Sequence, residues 1–520
     1  MQGSANHRRL SRSFMGRARS RNGAVLALVM ANMGAGCAVG PDFQSPPPPA
    51  VASLSPTPLG IGKSRGPEQQ AYVRGLNIPQ RWWELFHCSP LNLLVARAIE
   101  GNADLDAARA AVRIASANTQ AARGGFFPQI GASLDASSQK LSAAQAQASG
   151  TGTSPYSVSS GQLSVSYVPD VFGLNRRRVE SLSAQAEAQR FELEAAYLTL
   201  TSKLALAAIE EASLREEMKS AEVSIAVATE VLAFLKQQAD ANEATRIDVS
   251  AQEVTLAQFQ QSLQSLRKRL ATNRDLMTAL AGGMAGEGMP EKFEFACLRL
   301  PTDLPLSLPA SIVRRRPDVR AAEANMHAAT AEIGVAIANR LPQFNLTANA
   351  GASASAIANL ASAWSPLLFW SIIGSAAQTL FDGMSAEQKQ RAAEAGLDRS
   401  AALYRGTVIA AFQNVADVLQ TIEADRQLFL AAERGVRAAQ VNLDLTRQLL
   451  RQRIASVLQV LSAQQMYAQA KSSHAEAKAA RRADTVLLFQ ALGGGWDSHD
   501  ASAGDWPAVV TSAADKQRSP

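Results

Sequence analysis

Apolar residues recur every three or four positions at Leu193, Tyr197, Leu200, Leu204 and Ala207. The series passes over Glu211 and resumes at Leu214, Met218, Ala221, Ile225, Ala228, Leu232 and Leu235. Twelve of these thirteen heptad positions are apolar, which predicts a coiled-coil seam. The polar stretch "DANEATRI" (240–247) interrupts it, and a second stripe follows at Leu256, Phe259, Leu263, Leu266, Leu270, Asn273, Met277 and Leu280. Two long helices joined by a short polar turn fold back as an antiparallel hairpin. A helix from about 174 to 240 is on the order of 100 Å long, beyond any ordinary globular core. Folding back near 243 sets Glu211 level with Asn273, which predicts a polar layer inside the hairpin.

The chain then repeats itself. A stripe from Tyr404 to Leu450 reproduces the first, and its break at Asp425 falls 214 positions after Glu211, with Asp484 as the matching position on the return helix. "SAQE" (250–253) returns as "SAQQ" (462–465), "ALAGG" (279–283) as "ALGGG" (491–495), and "FPQIGASLDA" (127–136) as "LPQFNLTANA" (341–350). Common offsets of this kind mark a tandem duplication. We place the repeats at 81–290 and 291–496, with hairpin tips at 240–247 and 452–458.

Each repeat also holds two segments whose apolar period is two: residues 129–138 and 161–170 in the first, 343–352 and the weaker 371–380 in the second. Alternating segments near ten residues long match transmembrane β-strands. Four strands cannot close a barrel, and an open edge in hydrocarbon leaves backbone groups unpaired. Three copies supply twelve strands, an even number within the known range, and gather twelve long helices. The fold class is therefore mainly α with a transmembrane β-barrel: a homotrimer with a 12-strand barrel and a 12-helix periplasmic tube.

Composition changes one impression. The net charge of +6 suggests a basic protein, but residues 1–36 carry six arginines and no acid. Removing them leaves 45 basic against 45 acidic residues, so a nucleic-acid partner loses its support. The same segment has the layout of a secretory signal: an arginine-rich start, an apolar run from Ala24 to about Ala31, and Gly34-Ala35-Gly36 before Cys37. A Pro/Ser/Gly-rich tether is expected over 37–80 and a disordered tail over 497–520. Cys88 and Cys297 fit no framework or metal motif; they are read as free or buried thiols in preference to a pair.

The remaining candidate chemistry is bland. In "RRRPDVRAAEA" (314–324), Pro317 followed by Asp318 is good helix-start chemistry. "GGG" (493–495) lacks the Lys-Ser/Thr of a phosphate loop and reads as a helix terminator. The histidines show no ligand spacing and no catalytic constellation can be argued, so neither enzyme nor metal site is expected. The competing class is a periplasmic coiled-coil scaffold or adaptor without a pore, in which nothing requires two alternating strands per repeat.

Together "GCAVGPDF" (36–43), "WWELF" (82–86), "YVPDVFG" (167–173), "RRRPDVRAAEA" (314–324), "LFDG" (380–383), "AFQNVADVL" (411–419) and "ALGGGW" (491–496) resemble the trimeric outer-membrane efflux channels of the TolC/NodT type. The resemblance implies a passive conduit for small toxic compounds or drugs, with a periplasmic adaptor and an inner-membrane transporter as partners. It also implies an outer-membrane lipoprotein with Cys37 as the lipidated residue, and no other cofactor. Adaptor docking is assigned to the tips, at Asn242, Thr245, Arg453 and Ser456. The family usually has glycine in each turn; Asn242 tolerates the left-handed conformation, whereas Arg453 does so at a cost, so the second turn is expected to differ or fray. The aperture candidates are Leu443, Asp444, Arg447 and Leu450. Asp444 and Arg447 either form opposed threefold rings or an ordinary surface pair three residues apart.

Overall fold

The computed structural model describes residues 38–47, 70–144, 154–284, 286–306, 312–313, 315–355 and 368–494. Cys37, the signal segment before it, the middle of the tether and the tail lie outside the described residues. Strand β1 (Ala71–Arg74) precedes a 3-10 turn over Trp82–Phe86 and helices α1 (Ser89–Gly101) and α2 (Ala103–Arg123). Strands β2 (Gln129–Gln139) and β3 (Tyr156–Tyr167) lead into long helices α3 (Leu174–Asp240) and α4 (Arg246–Leu280). The second half follows the same plan with a single helix before its strand pair among the described residues: β4 (Asp303–Leu306), α5 (Pro317–Ala338), β5 (Gln343–Ala354), β6 (Leu368–Ala377), α6 (Ser385–Arg451) and α7 (Val457–Ala491). The duplication is visible in the lengths: α3 and α6 each have 67 residues, α4 and α7 each 35. No helix among the described residues is long and apolar enough to cross a membrane.

The sequence repeats are not the spatial units. One compact unit takes the described parts of Met1–Ser45, Val112–Ala188 and Glu323–Leu403; the other takes Pro46–Ala111, Gln189–Ala322 and Tyr404–Pro520. The first unit contains one antiparallel sheet in the order β2-β3-β5-β6. Two strands differ from their expected spans. Strand β3 starts at Tyr156 and ends before Pro169, because Asp170 turns to accept the backbone N–H groups of Asn175 (2.9 Å) and Arg176 (2.9 Å) at the start of α3. Strand β6 starts three residues early and takes Phe369 and Trp370 into the ladder opposite Gly351 and Ala350.

The same unit corrects the tether. Residues 39–43 are docked: Val39 N–H donates to the carbonyl of Phe172 (3.1 Å), and Arg177 donates to the carbonyls of Val39 (3.0 Å) and Gly40 (3.2 Å). Arg177 also pairs with Asp42 (2.7 Å), and the Phe43 ring stacks on His327 at 4.5 Å between centroids. Gly40 has φ +93°, and a Cβ there would lie 2.5 Å from the Cα of Gly334. Only glycine admits that approach.

In the second unit β1 pairs in parallel with β4. The "WWELF" turn buries Trp82, Trp83 and Phe86, with Trp82 against Phe489 (5.6 Å) and Trp83 against Tyr197 (6.1 Å). Here Cys88 and Cys297 form a disulfide, with Cα atoms 5.1 Å apart, which corrects the reading as free thiols. Cys88 is the residue before α1, and the Arg299 N–H donating to the Phe86 carbonyl (3.0 Å) brings the distant segment alongside. A separation of 209 residues carries no local trace of that pairing.

The polar layer lies where the seam breaks. Glu211 is 0% exposed and accepts from Arg215 (2.7 Å) and Arg274 (2.9 Å), while Asn273 donates to the Ala207 carbonyl (2.8 Å). At the start of α5, Arg316 chelates Asp318 (2.6 and 3.0 Å), whose Oδ1 accepts the Val319 N–H (2.9 Å). Gly493 and Gly494, both at positive φ, close α7. Both motifs serve helix ends.

Candidate functional site

Register decides what the sheet can do. The row Ile130–Val165–Ala348–Ile372 and the row Ala132–Leu163–Ala350–Trp370 lie on one face, with Leu134, Leu346, Phe344 and Leu368. This face is apolar and uncovered: Ile130 is 75% exposed, Leu163 58% and Trp370 77%. The opposite face carries Gln129, Ser133, Gln162, Ser164, Ser166, Asn345, Thr347, Asn349 and Ser371, interrupted by Phe369 and Ile373 of β6. Its side chains bond across strands, Ser166 to Asn345 (3.3 Å) and Asn349 to Ser371 (3.3 Å). A sheet oily on one side and wet on the other suits a wall between hydrocarbon and water. Strands β2 and β6 are its edges, without a further partner among the described residues.

The two hairpin tips in the second unit are near copies. Asn242 (φ 60°) and Arg453 (φ 62°) both adopt the left-handed conformation. Glu243 N–H donates to the Gln238 carbonyl (2.8 Å) as Ile454 N–H does to Leu449 (2.9 Å). Thr245 and Ser456 then cap α4 and α7 in reciprocal boxes with Asp248 and Gln459. The second turn therefore neither differs nor frays, contrary to expectation. Its strain is offset by the surrounding hydrogen bonds and by the ion pair of Arg453 with Glu243 of the first tip (2.9 Å). The hydroxyls of Thr245 and Ser456 are engaged as caps, which limits what else they can bind.

The aperture candidates are redistributed. Leu443 and Leu450 are buried within the chain, and Leu450 joins Val231, Leu235 and Val460 in a core between the two hairpins. They are seam residues, so they do not face an opening. Asp444 is exposed, but Arg447 forms an ion pair with Glu230 of α3 and not with Asp444. The pairs Glu230–Arg447 and Glu243–Arg453 thus tie one hairpin to the other near the tips. Sequence reasoning missed both acidic partners, which stand 217 and 210 residues from their arginines.

Residues 94–283 and 308–494 match the family described as outer membrane efflux protein. The pyoverdine export outer membrane protein OpmQ of Pseudomonas putida is 27% identical over 463 residues, covering 86% of this chain and 96% of that protein. The toluene efflux pump outer membrane protein TtgC of Pseudomonas putida is 27% identical over 482 residues, covering 92% and 96%. The solved structure of the outer-membrane channel OprN superposes with a TM-score of 0.79 at 25% identity, covering 88% of this chain and all of that one.

Proposed function

The chain belongs to the outer membrane efflux protein family, and from that premise we propose how its surfaces make a working channel. It is the outer-membrane channel of a tripartite efflux system, in a family that transports and does not catalyse. The observation that carries the proposal is the sheet with one apolar face and two open edges. Strands alternate in direction across β2-β3-β5-β6, so β6 of one copy meets β2 of the next in antiparallel sense. Three copies close twelve strands and remove every edge, with the Ser/Asn/Gln face lining the lumen.

The cargo is small toxic compounds or drugs moving passively from periplasm to exterior. A periplasmic adaptor docks on the tips 240–247 and 452–458, where Ile247 and Leu458 stand exposed at equivalent positions of the two return helices. An inner-membrane transporter supplies the energy. Cys37 carries covalent lipid as the mature N-terminus, and the docked segment 39–43 sets where the acyl chains leave the protein. Each buried methylene adds about 0.8 kcal/mol of membrane affinity.

Single-channel conductance of protein purified from outer membranes tests the reading. Heat-resistant trimers with discrete conductance steps are expected; helical trimers that leave a planar bilayer electrically silent would instead favour a scaffold without a pore. Mass spectrometry of the mature N-terminus tests the lipid separately, with acylated Cys37 expected.

A further inference from the structure

The polar layers of the two hairpins differ in charge. In the first, Glu211 is neutralised by Arg215 and Arg274. In the second, the carboxyl of Asp484 on α7 is in hydrogen-bonding contact with the carboxyl of Asp425 on α6. Asp484 is 4% exposed, and its Oδ2 is enclosed without a hydrogen-bond partner. The hydroxyl of Tyr72 on β1 is enclosed and unpartnered as well, within electrostatic reach of Asp484. Ionised carboxylates only accept, so a hydrogen bond between two of them requires a proton on one. Asp425 is half-exposed and Asp484 buried, and two carboxylates in contact repel each other when both are ionised.

We propose that Asp425 and Asp484 form a proton-operated clasp: one shared proton holds α6 to α7, and its release loosens the second hairpin alone. The charges facing the pair are few. Arg481 on α7 favours ionised Asp484, but its guanidinium is also stacked 4.7 Å over the Phe429 ring. Glu423 and Arg426 on α6 pair with each other at 2.7 Å and act on Tyr72 with opposite signs. Burial and the neighbouring Asp425 outweigh Arg481, and Asp484 is pushed up to about 7. Since the closed hairpin binds the proton more tightly than the open one, opening releases it. The opening equilibrium therefore rises with pH up to about 7 and levels off above it. In the first hairpin the layer at Glu211, held by arginines that stay charged, adds no such slope; burial also pushes up Glu217 and Glu194 on α3, so only segments clear of those two serve for comparison.

Amide hydrogen exchange on the full-length assembled protein, corrected for intrinsic rates, tests this between pH 5 and pH 8. Segments 418–430 and 480–490 are expected to open about tenfold more per pH unit up to pH 7. Segments 228–236 and 250–262 of the first hairpin, away from Glu194 and Glu217, serve as the internal reference and stay flat. Asp484→Asn keeps a hydrogen bond but cannot titrate, and should abolish the slope. Should that variant fail to assemble, Asp425→Asn removes the neighbouring carboxylate but leaves Asp484 buried, and should move the pH at which the slope levels off downward. A wild-type second hairpin that tracks the reference segments across this range overturns the clasp, as does a slope that persists in Asp484→Asn or one whose upper limit is unmoved in Asp425→Asn.

Discussion

At the scale of single residues, the disulfide and Arg453 show how position overrides residue type. Cys88–Cys297 closes a loop containing the whole first hairpin. Cross-linking so long a loop restricts the unfolded chain, so Cys88→Ser is expected to destabilise the second unit by about 2–5 kcal/mol. Denaturant unfolding with and without reductant measures this, and the variant should be insensitive to reductant. Arg453 is held at a φ that suits glycine, in a turn otherwise like that at Asn242. Arg453→Gly relieves the strain while losing an exposed ion pair with Glu243, and should leave stability within about 1 kcal/mol of wild type. Arg453→Ala keeps the strain and loses the pair, so it should be the less stable of the two in parallel thermal melts.

At the scale of elements, the alternation of side chains gives each strand its sidedness. Lysine at the centre of the apolar face meets hydrocarbon; Trp370→Lys or Ile372→Lys should weaken membrane assembly by about 2–4 kcal/mol each. Thr347→Lys on the opposite face should assemble normally and shift ion selectivity in bilayer recordings. Normal yields of Trp370→Lys trimer would contradict the assignment of faces. The strand periods were legible because period two survives in any register. The end of β3 was not, because it depends on Asp170 capping a helix rather than on the strand's own residues. The helix stripes were legible too, yet the same stripe that revealed the hairpins hid the true position of Leu443 and Leu450. A buried seam residue packs against neighbouring helices, as Leu450 does against Val231 and Leu235 of the other hairpin and Val460 of its own, which bars it from an aperture.

At the scale of the whole molecule, a buried acid and a half-buried one set a pH dependence. Burial pushes Glu194 up to about 7 despite the opposing Arg320, as burial and Asp425 do for Asp484. Both groups bind protons more tightly folded than unfolded, so stability falls as pH rises toward 7. Thermal melts of the assembled protein should therefore decline between about pH 5 and pH 7, and Glu194→Gln should flatten part of that decline. The duplication gives two hairpins of matched length, but one carries a neutralised layer and the other an acid pair. Near the tips, the ion pairs Glu230–Arg447 and Glu243–Arg453 join them. Removing both with Glu230→Gln and Arg453→Gly should raise passive leak through the channel in bilayer recordings if the tips must separate to open it.

The sequence by itself determined the periodic features: four long helices in two hairpins, two alternating strands per repeat, the duplication, and the polar layer at Glu211 and Asn273. Each of these is written in spacings of two, three or four residues, which the backbone converts directly into faces. Only the tertiary structure decided the Cys88–Cys297 bridge, the docking of residues 39–42 on Arg177, the interleaving of both repeats in each unit, and the partners of Arg447 and Arg453. Those depend on which distant segments pack together, and packing across separations of 135 to 217 residues leaves no periodic signal in the chain.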